Sequence, residues 1–102
     1  MERKIVHKID VINGLKDLEI EVAKRLDEKG NGAFVSNHEI LGCITEEYWE
    51  LIEAVHNPKL YLKITNDASI KNELLDIAVA AIFGYVCLKA DIFNEQNNIQ
   101  KD

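Results

Sequence analysis

Proline appears once and glycine five times in 102 residues, so the turn signals that a chain of short strands requires are scarce. No apolar stretch is long enough to cross a bilayer. The longest, Ile77 to Leu88, has 12 residues, against the roughly 20 that a spanning helix needs. The first ten residues, MERKIVHKID, carry charge and lack the apolar centre of a signal peptide, so export is not expected. The two cysteines, Cys43 and Cys87, are accordingly expected as reduced core thiols of a cytoplasmic protein with no membrane partner. Positive charge is in deficit. Twelve Lys and Arg against eighteen Asp and Glu leave a formal charge of -6, which disfavours a chain that coats nucleic-acid phosphates by bulk electrostatics. An acidic protein acting on an anionic substrate would need a cation between them.

What the chain does have is 47% hydrophobic and 29% charged residues, a balance suited to one compact helical domain spanning residues 1–102. Val11, Ile12, Leu15, Leu18, Val22 and Leu26 recur at spacings of three and four, the pattern of an amphipathic helix over about residues 4–28, with Gly14 as a possible kink. Lys29-Gly30-Asn31-Gly32 ends it. Ser36 followed three residues later by Glu39 forms a capping box, and Pro58 marks the far end of a second helix over about residues 37–56. Residues 57–68 read as a connecting loop. A third helix spans about residues 69–91, and the polar tail from 94 to 102 is expected to fray. Between Leu74 and Leu88 the only charged residue is Asp76, so the third helix is apolar nearly all round and requires burial on most sides. Three helices cannot surround it. The expected fold is an all-α bundle whose four-helix core is completed by a second copy, as a dimer or tetramer.

Against this apolar background several carboxylates are out of place. On the second helix Glu47 falls within the sector of Ile40, Ile44, Leu51 and Ala54, Glu50 lies at its edge, and Glu46 and Glu53 stand just outside it. A solvated acidic stripe accounts for Glu53 and tolerably for Glu46. It does not account for Glu47, because an unpaired carboxylate in a core costs several kcal/mol. On the third helix Glu73 and Asp76 are three residues apart and share a face. The helix dipole explains an acid in the first turn, such as Glu73, but not Asp76. Two acidic pairs on facing helices would repel each other unless a cation neutralised them. Oxygen donors without a histidine or cysteine at zinc spacing select a hard ion, Mg²⁺ or Mn²⁺.

The run EEYWE at residues 46–50, followed after 22 residues by ELLD at 73–76, resembles the EExxE...ExxD pattern of the MazG-like all-alpha nucleoside triphosphate pyrophosphohydrolases. The similarity extends over SNHEILGCITEEYWELIEAV and NELLDIAVAAIFGYV, which look like the two central helices of small single-domain members. The resemblance implies that Glu47, Glu50, Glu73 and Asp76 are metal ligands and that Glu46 is a further ligand or orients the attacking water. It also implies the reaction: a nucleoside triphosphate is attacked at the alpha phosphorus, releasing a monophosphate and pyrophosphate. Metal ions in such a site neutralise the triphosphate and lower the pKa of a bound water.

A lysine near the site would supply further positive charge. Candidates are Lys24, Arg25 and Lys29 at the end of the first helix and Lys59 and Lys63 in the second loop, each of which also reads as a plain surface cation. His38, in the first turn of the second helix, is a candidate for the pocket mouth and otherwise a surface histidine. Glu53 and His56 form one ExxH pair, but a di-iron carboxylate bundle needs two. Trp49, opposite Glu47, suits a subunit contact, while Tyr48, Phe34 and Tyr85 are candidate base neighbours or core residues. The rival function is a non-catalytic helical module that uses its acidic face to bind a partner.

Overall fold

The computed structural model of the chain describes residues 2–30, 32–56 and 66–90, with backbone alone at 66–68. Three helices account for most of it: α1 (Lys8–Lys29), α2 (Asn37–His56) and α3 (Asn66–Lys89). There is no strand among the described residues, and the class is all-α. The loop between α2 and α3, including Lys59, Tyr61, Leu62 and Lys63, and the expected frayed tail lie outside the described residues. No described helix is long and apolar enough to cross a membrane. The chain divides into two compact units, Met1–Asn31 and Gly32–Asp102.

The first unit is α1. It begins at residue 8, four residues later than periodicity alone places it, because the local chemistry starts it there. His7 is extended (φ -82°, ψ 152°), its N–H donates to the Asp10 carboxylate at 3.1 Å, and its carbonyl accepts from Asp10 N–H at 2.9 Å and, as the first i, i+4 bond, from Val11 N–H at 3.3 Å. An N3 acid that reaches back to the cap N–H is half of a capping box. Gly14 does not interrupt the helix. Termination falls where the glycines predict it: Gly30 adopts φ 83°, a left-handed conformation natural to glycine, and its N–H donates to the Leu26 carbonyl at 2.9 Å.

The second unit is the α2–α3 pair. Glu39 N–H donates to Ser36 Oγ at 3.2 Å, and the Glu39 carboxylate accepts from Val35 N–H at 3.3 Å. The predicted cap therefore forms, with its return bond one residue upstream of Ser36. The two helices run antiparallel. Near one end Gly84 meets Ile40, so closely that a Cβ built on Gly84 would lie 3.0 Å from Ile40 Cγ2. Next to this contact Phe34, ahead of α2, packs edge-on against Phe83 with ring centroids 5.3 Å apart and planes at 77°. Toward the other end, acidic residues of α2 and α3 face one another. Between and beyond them the seam is small-residue packing, with Ala54, Val79, Ala80 and Cys87 buried. Cys43 and Cys87 are both thiols, Cys43 half-buried and Cys87 buried.

The apolar circumference of α3 is only partly enclosed. Leu74, Tyr85, Val86 and Leu88 are exposed, as are Leu41, Tyr48 and Trp49 on α2. Within the described residues of the α2–α3 unit, the burial that the composition of α3 demands is not completed.

Candidate functional site

Glu47 and Glu50 project from α2, and Glu73 and Asp76 from α3. Each pair is spaced i, i+3, which puts both side chains on one face of its helix, and the antiparallel register brings the two faces together. One carboxylate oxygen from each of the four residues lies within 4.8 Å of the other three. Glu47, Glu73 and Asp76 are half-buried, and Glu50 opens to solvent.

This proximity has an electrostatic consequence at Glu73. Its pKa rises from 4.5 to about 7, chiefly through burial, then through a hydrogen bond with the Glu50 carboxyl and through the charges of Glu50, Asp76 and Glu47. Two carboxyl groups can hydrogen-bond each other only with a proton between them, so near neutrality Glu73 retains part of its proton. Glu73 Oε2 is closed off from solvent and accepts no hydrogen bond. A buried acceptor left over in this way needs a partner. The donor set suits a hard cation: four oxygens and no nitrogen or sulfur, on two helices that fix their spacing.

Of the other residues singled out by sequence, Glu46 is exposed on α2 and lies outside the cluster, and Glu53 is exposed as expected. His38 is exposed on the first turn of α2, nine residues before Glu47, which is about 13 Å along the axis. Lys24 and Lys29 are exposed on α1, in the first unit. Arg25 pairs with Glu21 on the same helix, Nε to Oε1 at 3.2 Å, as an ordinary i, i+4 bridge. Phe34 is occupied by Phe83.

One polar residue at the seam escapes a sequence reading that starts the third helix at residue 69. Because α3 begins at Asn66, Ser69 is a full helical position, not a terminus. It stands one turn before Glu73 on the face that carries Glu73 and Asp76. The signal available in the sequence is that spacing, Ser69, Glu73 and Asp76 at i, i+4 and i+7.

No family model, curated protein or solved structure matches this chain.

Proposed function

We propose that Glu47, Glu50, Glu73 and Asp76 hold Mg²⁺, or Mn²⁺ in its place, and that the chain hydrolyses a nucleoside triphosphate to the monophosphate and pyrophosphate. The observation that carries this reading is the convergence of two i, i+3 acidic pairs from facing helices onto one point, with their oxygens within 4.8 Å. For folding alone such an arrangement is a cost, since each carboxylate raises the energy of the others. A bound divalent cation would offset that repulsion, neutralise the incoming triphosphate and acidify a water.

The chain's own part follows from its chemistry. Glu47 and Asp76 would hold the cation with carboxylate oxygens from opposite helices, and Glu50 and Glu73 would complete the donor set. Glu50, the most open of the four, lies at the solvent side, where a charged triphosphate would approach. Water adds to the alpha phosphorus, the bond from that phosphorus to the oxygen bridging toward the beta phosphate breaks, and pyrophosphate leaves with that oxygen. The water's protons pass to solvent. A second copy of the chain packs on the exposed apolar residues of α2 and α3, Trp49 and Leu74 among them, and completes a four-helix core in a cytoplasmic dimer or tetramer.

Melting the chain with and without Mg²⁺ tests the binding half of this proposal. A ligand of the native state raises stability by mass action, so the melting temperature is expected to climb with Mg²⁺ well beyond the screening effect of the same ionic strength of Na⁺. Equal responses to the two salts would contradict it and favour the non-catalytic module.

A further inference from the structure

Ser69 is 2% exposed, and its hydroxyl has no hydrogen-bond partner. A hydroxyl withdrawn from water and left unsatisfied is destabilising, and the isosteric alanine would avoid that loss. The position of Ser69 relates this anomaly to the cluster. Ser69, Glu73 and Asp76 line one face of α3, with successive turns roughly 5–6 Å apart between Cβ atoms. The register that sets Ile40 against Gly84, and Glu47 and Glu50 against Asp76 and Glu73, continues one turn further to Ala54 and Ser69. Ala54 is fully buried and offers no side-chain donor or acceptor. On the side of the cluster stands Glu73, whose Oε2 is also closed off and accepts no hydrogen bond. A buried donor and a buried acceptor, both unsatisfied, thus occupy adjacent turns at the edge of the four carboxylates.

Resting on the cation reading above, we propose that Ser69 is the fifth oxygen of this site, its hydroxyl turned toward the hydrated cation that the four acids hold. Mg²⁺ binds oxygen and keeps several of its waters, and a small polar occupant satisfies Ser69 and Glu73 together, as buried waters do for otherwise orphaned groups. The simplest competing arrangement has the serine hydroxyl rotate to donate to Glu73 itself, which would make it a structural hydrogen bond.

Calorimetric titration with Mg²⁺, paired with melts of the metal-free chain, distinguishes these on the parent, Ser69→Ala and Ser69→Thr. Residues that support metal ligands typically contribute roughly 10- to 100-fold to affinity. Ser69→Ala is expected to weaken Mg²⁺ binding by at least about tenfold while the metal-free melting temperature stays level or rises. Ser69→Thr, which keeps the hydroxyl, should recover most of the affinity; if its added methyl prevents folding, the alanine variant decides alone. Unchanged Mg²⁺ affinity in Ser69→Ala overturns the assignment, whether the metal-free chain melts higher or lower. If the parent itself takes up no Mg²⁺ at millimolar concentration, the cation reading fails, and this assignment with it.

Discussion

Carboxylates packed within 4.8 Å of one another are held together by the helices that carry them and against their own charge. Removing one charge while keeping the shape should therefore separate folding from function. Glu47→Gln, Glu50→Gln, Glu73→Gln and Asp76→Asn are each expected to leave the metal-free chain as stable as the parent or more so, and to weaken Mg²⁺ binding by at least about tenfold. Glu53→Gln, one turn beyond Glu50 and exposed, is the control and should change neither quantity. Chemical denaturation and Mg²⁺ titration of the five variants check this. Amide variants that unfold more easily without metal would mean that the acids serve the fold.

Glu73 makes the same point through pH. Its folded pKa of about 7 lies above the ordinary 4.5, so between those values the folded chain binds more protons than the unfolded one. Stability then falls as pH rises through that window. The metal-free parent is expected to lose stability from about pH 4.5 to about 7 relative to Glu73→Gln, which has no proton to lose there. Saturating Mg²⁺ should abolish the difference in slope, because a cation favours the ionised form. Parallel profiles for the two proteins without metal would contradict the raised pKa. The four acids were legible in sequence because a charge on an otherwise apolar helical face is conspicuous. Ser69 was not, since residues 57–68 read as a loop, and only the start at Asn66 puts it inside the helix on the seam.

At the scale of helices, α2 was readable to the residue at its start because Ser36 and Glu39 make a side-chain cap, a local signal independent of the rest of the fold. α1 begins at Lys8 and not near residue 4 because the His7–Asp10 hydrogen bond caps it there. Periodicity cannot register such a bond. Nor could it foresee the approach of α2 and α3 at Gly84, where the missing side chain makes room for Ile40. That contact supplies a prediction with opposing terms. Gly84→Ala in a helix interior gains about 1 kcal/mol of helix propensity, but in the parent the new Cβ, 3.0 Å from Ile40 Cγ2, overpacks the seam at a cost of about 1–3 kcal/mol. The substitution should be neutral or destabilising in the parent and stabilising by about 1 kcal/mol in an Ile40→Ala background. Equal effects in the two backgrounds, measured by urea denaturation, would show that the contact is not tight.

For the whole molecule, the apolar circumference of α3 is the feature that the α2–α3 pair leaves unexplained. Leu74, Tyr85, Val86 and Leu88 remain exposed, as does Trp49 on α2, and scattered single apolar residues are normal on a surface whereas a helix exposed on several apolar sides is not. Sedimentation at micromolar concentration should find a dimer or tetramer, and Trp49→Glu should shift it toward monomer; a parent that sediments as a monomer would contradict the shared four-helix core. All-α architecture and the site pairs were readable from composition and spacing, because both are properties of single helices. Assembly of copies would depend on surfaces that no local pattern encodes. Pyrophosphate release from a panel of nucleoside triphosphates tests the proposed hydrolysis, with the parent and Glu73→Gln assayed in Mg²⁺ and in chelator. The parent is expected to release pyrophosphate and the matching monophosphate from at least one triphosphate, only with Mg²⁺, and Glu73→Gln to lose most of that rate. Absence of cleavage across the panel, or equal turnover by the variant, would contradict it.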